Sequence, residues 1–191
     1  MVEETKDKAK DGFIRLVIMS DTHNREEAMP GKVPDGDVLI HCGDMTNVGK
    51  GRELKIVNDW FGSLPHKTKI AIPGNHEVGL DIKQYDELYK RFHASSKEDP
   101  VENRKIMTNV TVLYDEAITL DCGLKVYGSP YSPEFCNWAF SLKTKEEKIE
   151  CWSKIPDDTD ILITHGPPHC ILDECKHSGF NAGDEVLLEE V

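Results

Sequence analysis

Phe13-Ile14-Arg15-Leu16-Val17-Ile18-Met19, followed at once by Ser20-Asp21-Thr22-His23, is the stretch that decides the fold. A strand-length run of branched apolar residues, apolar on both faces, reads as a strand buried between two layers. It stops on a carboxylate and an imidazole, so Asp21 and His23 stand where strand gives way to loop. The arrangement recurs along the chain. Asp37-Val38-Leu39-Ile40-His41-Cys42 leads into Gly43-Asp44, and Lys69-Ile70-Ala71-Ile72 stops at Pro73-Gly74 ahead of Asn75-His76-Glu77. Asp160-Ile161-Leu162-Ile163-Thr164 delivers His165-Gly166. Between these runs, Gly51 to Trp60 places Leu54, Val57 and Trp60/Phe61 on one helical face, and Asp81 to Phe92 aligns Ile82, Tyr85, Leu88, Tyr89 and Phe92. Alternating strands and amphipathic helices imply an α/β architecture.

The middle of the chain differs. Val110 to Tyr114, Ala117 to Leu120 and Leu124 to Tyr127 are short and closely spaced, which predicts an antiparallel meander. A proline and aromatic loop follows from Gly128 through Pro133 to Trp138, then a charged surface helix over Lys143 to Trp152.

A chain of 191 residues is long enough to bury a core as one domain, here residues 13–191 after a short disordered lead-in over 1–12. The net charge of −12 argues against binding a nucleic acid polymer, which needs a basic surface. It does not exclude a small anion, because a bound cation reverses the local field. No apolar run has membrane-spanning length. The six cysteines form no CxxC pair and the N-terminus carries no secretory pattern, so reduced thiols and a cytoplasmic location are expected.

Open α/β sheets bind ligands at the carboxyl ends of their strands. Four strand-end clusters would therefore converge on one crevice lined by Asp, His and Asn. That ligand mixture, without cysteine, suits Mn²⁺, Fe or Zn rather than a structural thiolate site.

The motifs Ser20-Asp21-Thr22-His23, His41-Cys42-Gly43-Asp44-Met45-Thr46, Pro73-Gly74-Asn75-His76-Glu77, Tyr127-Gly128-Ser129-Pro130 and Thr164-His165-Gly166-Pro167-Pro168 resemble those of the calcineurin-like metallophosphoesterases. The resemblance is closer still to their metallophosphoesterase-domain-containing subfamily, and it runs from about Phe13 to the end of the chain. It implies a four-layer α/β/β/α sandwich with a dinuclear centre. Asp21 and His23 would hold the first metal, Asp44 both, and Asn75 and His165 the second. Two divalent cations, Mn²⁺ ahead of Fe or Zn, are the implied cofactors. The implied reaction is hydrolysis of a small phosphodiester or nucleotide, such as a cyclic nucleotide, by a hydroxide shared between the metals. His76 is the implied catalytic imidazole, stabilising the transition state or protonating the leaving group. Asn75 and His76 would also meet the substrate. Glu77 is expected either to orient an imidazole or to be a solvated loop carboxylate. The alternative is a nucleotide- or partner-binding protein that keeps the fold without turnover.

One departure from the family pattern stands out. The family closes its site with a Gly-His-x-His strand, and the eight histidines here include no H-x-H pair. Glu185 to Val191 reads as the helix that would precede such a strand. The expectation is thus a C-terminally incomplete sandwich with weakened metal affinity and an uncovered sheet edge or core patch.

Two further signals remain. Tyr131 and Trp138, in the proline-fixed loop, could stack on a base or simply cover the core. His169-Cys170, Cys175 and His177 could bind zinc, although their spacing is not that of a standard finger and an ordinary loop is the simpler reading. His41 is expected to be a packed strand residue, and Trp60 and Phe61 to be core.

Overall fold

The computed structural model describes residues 12–28, 31–94, 96–176 and 179–191, so the expected lead-in lies outside the described residues apart from Gly12. The first half of the chain builds β1 (Leu16–Met19), β2 (Val38–His41), α1 (Gly51–Ser63), β3 (Thr68–Ala71), α2 (Tyr85–Phe92), α3 (Pro100–Arg104) and β4 (Thr111–Val112). The second half builds β5 (Glu116–Thr119), β6 (Lys125–Ser129), β7 (Ser132–Pro133), β8 (Ser141–Leu142), α4 (Lys145–Trp152), β9 (Ile161–Thr164) and α5 (Glu185–Glu190).

Strands β1 to β4 form one sheet in that order, every pair parallel. A parallel sheet must be covered on both faces, and the four residues of β2 are all buried. Val38 and Ile40 turn toward the second sheet, where they meet Ile70, Ile72, Leu113, Leu120, Val126 and Ile163. Leu39 turns the other way, onto Leu54, Val57 and Phe61 of α1 and Tyr85 and Leu88 of α2. The second sheet has the order β5-β6-β9, with β5 antiparallel and β9 parallel to β6. Its outer face is covered by Cys151 and Trp152 of α4 and Val186 and Leu187 of α5, with Leu162 of β9 packed beneath. Helices, sheet, sheet and helices make the expected four-layer α/β/β/α sandwich. Each fully buried aliphatic side chain of the inter-sheet core contributes roughly 1.5–3 kcal/mol.

Local chemistry sets the element ends. Thr144 and Glu147 form a capping box at the start of α4, the Glu147 N–H donating to Thr144 Oγ1 and the Thr144 N–H to Glu147 Oε2. Asp184 caps α5 through the Val186 N–H, and also accepts from Trp152 Nε1 at 3.0 Å, tying α5 to α4.

Three expectations need correction. Val110 to Tyr114 does not join an antiparallel meander: β4 pairs in parallel with β3, and the Leu113 N–H donates to the Ala71 carbonyl at 2.9 Å. A short apolar run carries no periodicity that assigns it to one sheet or the other, and burial of Leu113 between the sheets decided the matter. The helix expected from Asp81 begins at Tyr85. Asp81 Oδ1 accepts from the N–H groups of Lys83 and Gln84, an Asx-type turn that holds Asp81 outside the helix and leaves Ile82 exposed. The helix over Lys145–Trp152 is not wholly a surface element, since its last two residues are buried. Phe61 is fully buried as expected, while Trp60 is half-buried. Among the described residues no helix is long and apolar enough to cross a membrane.

Candidate metal centre

The loops after β1, β2, β3 and β9 meet at one end of the sandwich. The loop after β1 is stitched onto the loop after β2 by three backbone bonds: Asp21 N–H to Gly43 O at 3.0 Å, His23 N–H to Asp44 O at 3.1 Å and Asn24 N–H to Met45 O at 2.9 Å. Asp21, His23 and Asp44 all take left-handed backbone, with φ of 57°, 47° and 54°. Such conformations in residues other than glycine cost on the order of 1–3 kcal/mol each and persist where the surroundings over-determine them. Glycine is required where the loops touch. A Cβ on Gly43, itself at φ 100°, would lie 2.6 Å from His165 Nδ1, and one on Gly74 would lie 2.5 Å from the Asp44 nitrogen and 2.7 Å from His165 Cε1.

Asp44 stands at the centre. Its carboxylate lies 3.8 Å from His23 Nε2, 3.9 Å from His76 Nε2 and 3.4 Å from His165 Nε2. Two groups of potential ligand atoms form around it: His23, Asp44 and His76, and Asp21, Asp44 and His165, with the atoms in each group within 4.8 Å of one another. Asn75 joins the second group, its Oδ1 lying 3.0 Å from His165 Nε2. Asp44 is thus common to both groups. The grouping otherwise differs from the implied one, for Asp21 sits with His165 rather than with His23, and His76 sits beside His23.

The protonation pattern suits cations. Nδ1 of His23 faces the Thr46 carbonyl at 3.0 Å, Nδ1 of His76 the Asn47 carbonyl at 2.7 Å, and Nδ1 of His165 the Cys42 carbonyl at 2.8 Å. A carbonyl oxygen only accepts, so each Nδ1 carries a proton and Nε2 is the ring nitrogen that each imidazole presents toward Asp44. Three imidazoles that each present Nε2, two carboxylates and an amide oxygen make a donor set that fits divalent cations.

Electrostatics follow from the same crowding. Burial pushes the Asp44 carboxyl up, but the His165 imidazolium and the His76 N–H, which donates to Oδ1 at 2.9 Å, outweigh it and hold the group below its ordinary value. Burial pushes His165 down, and Asp44 together with the Cys42 carbonyl reverses that, raising His165 to about 9. His41 is fully buried with Nε2 3.1 Å from Thr22 Oγ1, and desolvation together with the charge of His165 lowers it to about 3, so it is a neutral, packed strand residue.

Glu77 does neither of the things expected of it. It is fully buried and accepts four hydrogen bonds, none from an imidazole. Oε2 receives the N–H groups of Asp44 at 2.9 Å and Gly74 at 2.7 Å, and Oε1 receives the N–H and hydroxyl of Thr46 at 2.7 and 2.8 Å. This carboxylate clamps the two ligand loops together by their backbones. Burial and the charge of Asp44 lift it to about 7 against the pull of its donors.

Of Tyr131 and Trp138, only Trp138 reaches the site. Its indole stacks on His76 with centroids 4.0 Å apart. Tyr131 is half-buried, edge-on to Phe140 at 5.8 Å and beneath Lys83. The zinc cluster weighed against an ordinary loop does not assemble among the described residues: Cys170 and Cys175 are exposed, His169 pairs with Asp173 at 3.3 Å, and His177 lies outside the described residues. Sequence reasoning missed the carbonyls of Cys42, Thr46 and Asn47, which no side-chain pattern encodes, and the bond from Ser20 to Asp21 Oδ2.

The fold and the donor set define a site suited to divalent cations, and comparison with known proteins identifies the family. A model of the calcineurin-like phosphoesterase family matches residues 14–190, and the chain belongs to that family, which comprises hydrolases of phosphoric esters. Human metallophosphoesterase domain-containing protein 1 is 44% identical over 187 residues, covering 94% of this chain and 56% of that protein. A UPF0046 protein of Caenorhabditis elegans is 40% identical over 180 residues, covering 94% and 59%. The chain therefore spans somewhat over half the length of these relatives. A solved crystal structure shares the fold, with a TM-score of 0.56 at 15% identity over 91% of this chain and 77% of that one.

Proposed function

We propose that this chain hydrolyses phosphoric esters, small phosphodiesters such as cyclic nucleotides foremost, with two divalent cations, Mn²⁺ ahead of Fe or Zn. Asp21, His23, Asp44, Asn75 and His165 would hold the cations. Bound there, the ions would polarise phosphoryl oxygens and lower the pKa of a water. The observation that carries the reading is Asp44, one buried carboxylate shared by two groups of ligand atoms whose imidazoles already present Nε2 to it.

The remaining roles belong to the chain's own groups. His76 keeps its Nδ1 proton on the Asn47 carbonyl, so Nε2 is the atom free to hold a proton at the departing oxygen, and its side chain is 27% exposed, within reach of a substrate. Asn75, its neighbour, would meet the same substrate. A cytoplasmic setting fits the six free cysteines.

The test is hydrolysis of bis-p-nitrophenyl phosphate with and without Mn²⁺, with Asp44→Asn as control. Turnover that requires Mn²⁺ and disappears in the variant is the expected result. No turnover by folded protein overturns the hydrolase reading in favour of a binding protein of the same fold.

A further inference from the structure

The indole of Trp138 lies against two other rings. It stacks on His76 at 4.0 Å with planes 27° apart, and lies tilted against Phe92 at 4.4 Å with planes 37° apart. The guanidinium of Arg91 sits over Phe92 and 5.9 Å from the Trp138 ring. An indole already engaged in this way is poorly placed to stack on a substrate base.

The backbone that carries Trp138 is strained and held. Cys136, Asn137 and Phe140 have φ of 52°. None is glycine, so surrounding bonds must hold the segment in place. Arg91 Nη1 donates to the Cys136 carbonyl at 2.8 Å, and the Phe140 N–H donates to Asp81 Oδ2 at 2.8 Å. The Ala139 N–H donates to the carbonyl of Asn75, the residue before His76, at 3.2 Å. The segment is therefore bonded to the very loop whose imidazole its indole covers.

Among the described residues His76 has one side-chain hydrogen bond, from Nδ1 to the Asn47 carbonyl. A single bond fixes a point on the ring but lets the plane pivot about the bond axis. The edge of His23, with centroids 4.5 Å apart, restrains one side, and the flat indole restrains the plane. We infer that Trp138 is a positioning residue, which holds the plane of the His76 imidazole so that Nε2 stays directed into the site. The inference rests on the role proposed above for His76.

The test uses Trp138→Ala and Trp138→Phe in two measurements. In histidine-labelled protein free of paramagnetic ions, the NMR cross-peak between the His76 and His23 rings should be present in wild type, lost with alanine and kept with phenylalanine. With bis-p-nitrophenyl phosphate and Mn²⁺, alanine should lower kcat roughly 10- to 100-fold, the scale of a misplacement near 1 Å, with little change in KM. Phenylalanine should restore most of that loss. A cross-peak that survives in the alanine variant overturns the inference. So does an unchanged kcat, or a loss confined to KM, the last of these meaning that the indole binds substrate directly. A wild-type protein without turnover would refute the hydrolase reading, and the cross-peak would still decide the positioning role.

Discussion

Replacing Glu77 by glutamine keeps the shape of the side chain and changes only what it can accept. The carboxylate takes two N–H donors on Oε2 and one N–H plus one hydroxyl on Oε1. An amide has one accepting end. If its NH₂ replaced Oε2 it would confront two backbone N–H groups, so the less costly orientation puts it beside Thr46. There the hydroxyl can rotate and accept, and one buried N–H is left facing another donor. An unsatisfied buried donor costs about 1–3 kcal/mol. Removing a buried negative charge from beside Asp44 offsets part of this, which leaves a net destabilisation of about 1–2 kcal/mol. At about 2–4 °C per kcal/mol for a chain of this size, Tm should fall by roughly 2–8 °C. Glu77→Ala strips all four donors of their partner and should cost more than glutamine. Thermal and urea unfolding of the three proteins side by side measure the order. A glutamine variant as stable as wild type, or an alanine variant no worse than glutamine, would refute the claim that this carboxylate clamps the loops.

Other outcomes follow from the same geometry. Gly74→Ala sets a Cβ against Asp44 and His165, so it should destabilise by about 1–3 kcal/mol and reduce Mn²⁺-dependent turnover at least tenfold, measured by unfolding and by initial rates. Ile70→Ala empties part of the inter-sheet core and should cost about 2–5 kcal/mol in urea unfolding without changing which metal supports activity. Burial raises the Cys42 thiol to about 11 and the Cys151 thiol to about 12. Only the thiolate reacts, so iodoacetamide at pH 8 should label exposed Cys122, Cys136, Cys170 and Cys175 first, and Cys42 should gain reactivity as pH rises toward 11. Site-resolved mass spectrometry reads that order.

Much of the architecture was legible because buried parallel strands are written as unbroken apolar runs. Val38 to His41 and Ile161 to Thr164 could be placed from composition alone, and each run leads into a residue now found at the site, Asp44 and His165. What sequence left open were choices made by tertiary contacts. Leu113 could have packed into either sheet, and its burial between the two settled where β4 pairs. Asp81 looks like the first turn of a helix until its carboxylate is seen to accept from Lys83, Gln84 and Phe140. Glu77 was recognised as part of a motif, but its function is to accept backbone N–H groups, which every residue has and no pattern singles out. The three carbonyls that hold the histidine Nδ1 protons were hidden for the same reason.

The central claim is that one carboxylate, Asp44, is shared by two cations. Titration of metal-freed protein with Mn²⁺, followed by electron paramagnetic resonance, tests it most directly. The account predicts two ions per chain with a spin-coupled spectrum, and loss of the coupled pair in Asp44→Asn. Saturation at a single uncoupled ion, or a coupled pair that survives the substitution, would contradict it.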